Sequence, residues 1–266
     1  GFGAQGADLS TALEAGLNSE GTGMLLPVSR QISRAENVQR AAVEIRDTIN
    51  NARKKILSSM PEVTQITTES SLSVLADFLF ESGCIRFGEF KLKSGLISPI
   101  YIDLRRLAGF PILLSQVAQA YLPILNKLKF DCIAGLPYAG LPIATAISMY
   151  SRKPMIYPRK EIKAYGTKAE IEGVFSPGDL AVLIDDLATT GGSKFEALDK
   201  LKSAGLLVSD VVVLIDRQSG AAEDLAKAGY NLHSVFTLSQ LLDHWESKMS
   251  IPTKQIKSVR DFLSKR

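Results

Sequence analysis

The spacing of hydrophobic positions changes character along the chain. In residues 36–55, Val38, Ala41, Ala42, Ile45 and Ile49 recur at helical spacing, which predicts an amphipathic helix. Its end carries Arg53-Lys54-Lys55, a cluster suited to the negative pole of a helix. Ahead of it, residues 10–16 predict a short helix stopped by Gly16, and residues 23–29 a short strand. Residues 58–70 hold Pro61 and many Ser and Thr without a period, and they predict a linker.

From Ser71 the pattern becomes short apolar runs separated by helix-length segments. It predicts strands over 90–93, 100–104, 132–136, 155–157, 180–184, 211–215 and 232–236. Helices are expected over 72–81, 111–127, 141–150, 194–204, 221–228, 238–247 and 253–264. Residues 159–175 read as a polar loop rich in charge and glycine. Such alternation implies an α/β fold with a parallel sheet covered on both faces. Ligands in these sheets bind at the carboxyl ends of the strands. The expected organisation is a leading segment at 1–57, a linker at 58–70 and a complete domain at 71–266.

Composition narrows the picture. With 45% hydrophobic and 22% charged residues, the chain is near the globular average, which excludes a disordered or collagen-like protein. The net charge of +3 is too small to argue for nucleic acid. Cys84 and Cys132 lie far apart in apolar surroundings and read as core thiols of a reducing compartment. His233 and His244 are the only histidines, so a His-rich metal site is not expected. No apolar run approaches the ~18 residues of a membrane span, and no signal-peptide pattern is present. A cytoplasmic location is therefore expected. The chain starts at Gly1 rather than Met, and the expectation is that it begins partway through a larger polypeptide.

The chemistry concentrates in one stretch, Val182-Leu183-Ile184-Asp185-Asp186-Leu187-Ala188-Thr189-Thr190-Gly191-Gly192-Ser193. An apolar strand is expected to deliver two adjacent acids to its carboxyl end, followed by a turn of small and hydroxyl residues and then a helix. Backbone N–H groups of such a turn converge on a phosphate. Thr189, Thr190 and Ser193 add hydroxyl donors. Asp185 and Asp186 suit sugar hydroxyls or a hydrated divalent cation. No Gly-Lys-Ser/Thr follows, so this is not a Walker A loop.

This stretch resembles the phosphoribosyl-diphosphate signature of type I phosphoribosyltransferases, and the chain from Ser71 resembles the orotate phosphoribosyltransferases. Lys91-Leu92-Lys93-Ser94-Gly95 with Ser98-Pro99-Ile100-Tyr101-Ile102-Asp103 looks like their orotate-side segment. Gly135-Leu136-Pro137-Tyr138-Ala139-Gly140 looks like their diphosphate loop. Arg159-Lys160-Glu161-Ile162-Lys163-Ala164-Tyr165-Gly166 looks like their mobile catalytic loop, and Ile215-Asp216-Arg217-Gln218 like the strand end bearing an orotate-binding Arg. Ala139 and Tyr165 stand where stand-alone bacterial members often carry Lys and His, and Ala164 replaces an acid often seen there. Ala139 and Tyr165 look like the form found within bifunctional proteins.

The resemblance implies the family fold, a parallel sheet flanked by helices with a small N-terminal hood. It also implies transfer of phosphoribosyl from its diphosphate to orotate, in pyrimidine synthesis, with Mg²⁺ held mainly by the substrate diphosphate near Asp185 and Asp186 rather than by a protein cage. Lys163, Arg159, Lys160 and Tyr165 would serve the leaving diphosphate, alongside Tyr138. Ala188, Thr189, Thr190, Gly191, Gly192 and Ser193 would hold the 5-phosphate. Lys93, Tyr101 and Arg217 would serve orotate, whose carboxylate suits a planar guanidinium. A homodimer sharing the loop is implied. The competing readings are a purine-type phosphoribosyltransferase and a non-catalytic phosphoribosyl-diphosphate binder.

The leading segment carries a second resemblance. Gly1-Phe2-Gly3-Ala4-Gln5-Gly6 with Pro27-Val28-Ser29-Arg30 looks like the C-terminal end of orotidine 5′-phosphate decarboxylase. There Gln5 and Arg30 would be vestigial phosphate-binding residues. That (β/α)₈ barrel needs ~250 residues, so the segment is expected to be an inactive remnant behind an upstream decarboxylase domain.

Overall fold

The computed structural model describes residues 30–59, 69–91, 95–160 and 170–264, together with Leu9 and Leu13. The chain divides into two compact units, Gly1–Thr64 and Gln65–Arg266.

In the first unit, α1 (Arg30–Ser33) is a single turn and α2 (Val38–Ser59) is the helix that the apolar spacing predicted. Asn37 Oδ1 accepts from the Arg40 backbone N–H at 2.9 Å, a cap that starts α2 two residues later than expected. Leu9 and Leu13 are helical, and Leu13 is fully buried. The loop at 1–6 with Gln5, the strand expected over 23–29 and most of the linker lie outside the described residues. Arg30 opens α1.

The second unit begins with α3 (Glu69–Glu81), followed by the hairpin β1 (Ile85–Lys91) and β2 (Ile97–Ile102). The hairpin is antiparallel, with Ile85 opposite Ile102 and an irregularity between Phe87 and Phe90. The main elements follow as α4 (Pro111–Leu125), β3 (Cys132–Gly135), α5 (Gly140–Ser151), β4 (Met155–Pro158), β5 (Ile171–Glu172), β6 (Leu180–Ala188), α6 (Gly192–Ser203), β7 (Leu207–Asp216), α7 (Ala221–Lys227), β8 (Asn231–Thr237), α8 (Leu238–Ser247) and α9 (Thr253–Ser264). The six-stranded sheet has the order β5-β4-β3-β6-β7-β8. All neighbours are parallel except β5, which runs antiparallel to β4.

The central strands β3, β6 and β7 carry continuous buried apolar runs because both faces are covered. Ile133, Val182, Ile184, Val212 and Leu214 pack into one core with α4, α5 and α8. Cys132, Ala134, Leu183, Val211 and Val213 pack into the other with α6 and α7. Trp245 of α8 lies 5.8 Å from the rings of both Phe80 and Phe87, and so ties the hairpin to the first core. Helix α8 starts at the predicted residue because Thr237 and Gln240 form a reciprocal capping box.

Several expectations are corrected. Strand β1 begins at Ile85, five residues before the alternation that predicted it, and β2 begins at Ile97. The segment 159–175 is not all loop, because Ile171 and Glu172 pair with Pro158 and Tyr157. A 3-10 turn at Leu104–Gly109 was not expected. Strand β6 runs on to Ala188, so Asp185 and Asp186 lie within it rather than beyond its end. The long partner β7 causes this, since the ladder continues to Ala188 opposite Asp216.

Candidate active site

The carboxyl edge of the sheet is built around β6 and the turn after it. Asp185 is buried and Asp186 half-buried. The turn closes through Gly191 at φ +79°, a left-handed conformation that glycine adopts without strain. Ser193 and Thr190 are exposed, while Ala188 and Gly191 are buried. The first N–H groups of α6 have no intrahelical partner, so the turn and helix start offer donors to an anion.

Lys194 is the residue that the sequence reading missed. It is 2% exposed, and its Nζ lies 2.7 Å from Asp185 Oδ2 and 2.7 Å from the Leu187 carbonyl oxygen. A signal was available: Lys194 shares a helical face with Ala197, Leu198 and Leu201, and a lysine on an apolar stripe needs a partner. Tyr121 of α4, also buried, donates its hydroxyl to the Asp185 carbonyl oxygen at 2.8 Å. Burial, and then the neighbouring Asp185 carboxylate, push Asp186 up to about 8.

The segment Leu136–Gly140 passes beside these acids. Tyr138 is 63% exposed. A Cβ at Gly140 would lie 2.9 Å from the Ile184 carbonyl oxygen and 3.2 Å from Asp185 Cα, so only glycine lets α5 start against β6. A cavity of about 160 Å³ lies here, lined in part by Pro137, Arg159, Lys160, Ser193, Glu196 and Lys200. It joins the predicted diphosphate segment and two loop cations to the start of α6. Lys160 Nζ stands 4.9 Å from the centre of the Tyr138 ring, a cation–π distance. Arg159 pairs with Glu172 at 2.9 Å, an acid that β5 brings into place. Lys163 and Tyr165 lie outside the described residues.

On the other flank, Arg217 follows the end of β7. Its backbone N–H donates to the Ala188 carbonyl oxygen at 3.0 Å. Its Nη2 donates to Ser98 Oγ at 3.3 Å, and its guanidinium lies 5.9 Å from the Phe262 ring of α9. Ser98, wholly buried, donates in turn to the Ile100 carbonyl oxygen at 2.7 Å. Tyr101 stacks on Phe90 at 5.3 Å, with the Arg86 guanidinium 5.1 Å from its ring. Lys93 lies outside the described residues. The hairpin's Ser98 and the strand-end Arg217, 119 positions apart, are thus brought together.

Among the described residues no group of three or more His, Cys, Asp or Glu side chains could hold a metal. With Asp185 Oδ2 taken by Lys194, the half-buried Asp186 is the acid that could share in holding a hydrated Mg²⁺ bound mainly by water and phosphate oxygens. No helix among the described residues is long and apolar enough to cross a membrane.

No family model matches the chain. A bifunctional enzyme PyrF/PyrE of Nostoc sp. is 40% identical over 245 residues, covering 90% of this chain and 51% of that protein. An orotate phosphoribosyltransferase of Caenorhabditis elegans is 41% identical over 189 residues, covering 70% of this chain and 83% of the relative. The solved UMP synthase of Leishmania donovani is 47% identical with a TM-score of 0.69, and the match covers 100% of this chain and 55% of that one. The chain therefore spans about half the length of the bifunctional proteins it matches.

Proposed function

The chain belongs to the orotate phosphoribosyltransferase family, and we propose that its larger unit joins orotate to the 5-phosphoribosyl group of phosphoribosyl diphosphate, releasing diphosphate and orotidine 5′-phosphate. The larger unit has the type I phosphoribosyltransferase fold. One observation carries the reading: the acid strand with its phosphate turn and the Arg217–Ser98 tie flank the same sheet edge, joined where Arg217 N–H meets the Ala188 carbonyl.

The roles follow from charge and shape. Amides of 188–192 and the hydroxyls of Thr189, Thr190 and Ser193 hold the 5-phosphate. Asp185 and Asp186 hold the ribose hydroxyls. Arg217, with Lys93, takes the orotate carboxylate, and Tyr101 offers a ring face to the base. The reaction breaks the bond from ribose C1 to diphosphate as the orotate nitrogen forms its own. Positive charge gathers on the sugar and negative charge on the leaving group. Lys160, Lys163 and Arg159 meet that negative charge away from bulk water. Tyr138 and Tyr165 serve the same leaving group. Mg²⁺, when bound with the diphosphate near Asp186, supplies further charge neutralisation.

The finer context belongs to the same proposal. The first unit is the C-terminal remnant of a decarboxylase barrel, with Gln5 and Arg30 as its phosphate residues, and the parent polypeptide carries the decarboxylase upstream. The match over 90% of this chain to a relative named as a bifunctional enzyme supports this. The protein works in the cytoplasm as a homodimer. Ile112 and Met149, 77% and 78% exposed, support a second copy, since large apolar side chains exposed on helices α4 and α5 suit a partner surface.

A substrate panel tests the reading. With phosphoribosyl diphosphate and Mg²⁺, orotate is expected to be converted and adenine and hypoxanthine to remain. Turnover of a purine base alone would assign the site to the purine-type enzymes. Tight binding of phosphoribosyl diphosphate with no turnover of any base would make the protein a binder.

A further inference from the structure

We propose that Lys194 is a positioning residue for phosphoribosyl diphosphate, a strut that holds the acid strand and the phosphate turn in one fixed geometry. The inference rests on the reading of the site given above and adds a residue to it.

Lys194 sits in the first turn of α6, yet its side chain runs back to the strand that precedes the turn. There it meets Asp185 Oδ2 and the Leu187 carbonyl oxygen, both at 2.7 Å. The residues between its two ends, 188–193, are the phosphate turn itself. Side chain and backbone together form a closed ring around the turn. The ring fixes the distance from Asp185 to the amides that follow.

Asp185 is held from two further sides. Tyr121 donates to its backbone carbonyl oxygen at 2.8 Å. Helix α5 presses on it through Gly140, whose added Cβ would stand 3.2 Å from Asp185 Cα and 3.3 Å from Oδ1. Lys194 uses Oδ2, and Oδ1 faces Gly140, where the diphosphate segment ends and α5 begins.

Stability alone does not account for the lysine. Its helix face continues with Ala197, Leu198 and Leu201, all buried, and an apolar pair in place of both Lys194 and Asp185 would avoid the desolvation of two charges. A charged side chain with two directed hydrogen bonds instead fixes geometry. Phosphoribosyl diphosphate spans both ends of the ring, with its sugar hydroxyls at the acids and its 5-phosphate at the turn. Orotate binds on the Arg217 flank and does not need the strut.

The test compares wild type, Lys194→Arg, Lys194→Gln and Lys194→Met by steady-state kinetics and thermal unfolding. The proposal expects KM for phosphoribosyl diphosphate to rise about tenfold or more in Lys194→Met, with KM for orotate within about twofold. Lys194→Arg, which keeps charge and donors, is expected to recover most of the loss. Lys194→Met leaves a buried carboxylate unpaired. Should it not fold, the order wild type, Arg, Gln in KM for phosphoribosyl diphosphate decides. Unchanged KM for phosphoribosyl diphosphate in a folded variant, or equal rises in both KM values, overturns the strut. Absence of turnover in folded wild type overturns the functional reading, and the strut with it. Wild-type turnover with an unmoved KM overturns the strut alone.

Discussion

Arg217 Nη2 lies 3.3 Å from Ser98 Oγ, across 119 positions of sequence. This contact ties the hairpin β1–β2 to the carboxyl end of β7 and sets Arg217 against the orotate-side segment. Arg217→Ala is expected to raise KM for orotate roughly 10- to 100-fold, the loss of one charge-assisted contact. KM for phosphoribosyl diphosphate should change little. Arg217→Lys should recover only part, because an ammonium cannot bind a carboxylate in the two-pronged way of a guanidinium. Saturation curves in each substrate measure this.

Asp186 gives a pH dependence. Burial and then the Asp185 carboxylate raise its pKa from 3.8 to about 8. Ionising it therefore costs more in the folded than in the unfolded chain. The contribution of this group to stability is complete below pH 3.8 and is lost progressively up to about pH 8. Thermal melts of the ligand-free protein should show this decline, and Asp186→Asn should flatten it.

Much of the fold was legible from the sequence, for identifiable reasons. Strands buried on both faces announce themselves as continuous apolar runs, as in 211–215, and capped helices such as α8 announce their first residue. The hairpin was less legible, because β1 is only partly buried and its irregularity at Phe87/Phe90 breaks the alternation. Strand β5 was invisible at two residues, since only its pairing with β4 defines it. In the site, the acid pair and the turn were read directly from their order. Lys194 was not, because its role depends on the fold turning its side chain back toward Asp185. The pairing of Arg159 with Glu172 likewise exists only once β5 is in place.

Gly140 predicts a packing cost. Its substitution by Ala would set a Cβ 2.9 Å from the Ile184 carbonyl oxygen, against backbone that cannot easily move. Gly140→Ala is expected to destabilise by roughly 1–3 kcal/mol, the range for overpacking. It should also weaken phosphoribosyl-diphosphate binding, because α5 and the segment before it are displaced from β6. Urea unfolding and calorimetric titration read the two effects.

Tyr121 predicts a smaller one. Its hydroxyl is buried and donates to the Asp185 carbonyl oxygen, so Tyr121→Phe removes one internal hydrogen bond while keeping the ring. The expected loss is about 1–2 kcal/mol, seen as a lower urea midpoint at an unchanged slope.

The central claim is that this sheet edge couples cleavage of phosphoribosyl diphosphate to the capture of orotate. Quantitation of diphosphate released with and without orotate, in the presence of Mg²⁺, tests it most directly. The account predicts orotate-dependent release, one diphosphate for each orotate consumed. A folded protein that releases none, or that releases diphosphate at the same rate without orotate, would contradict it.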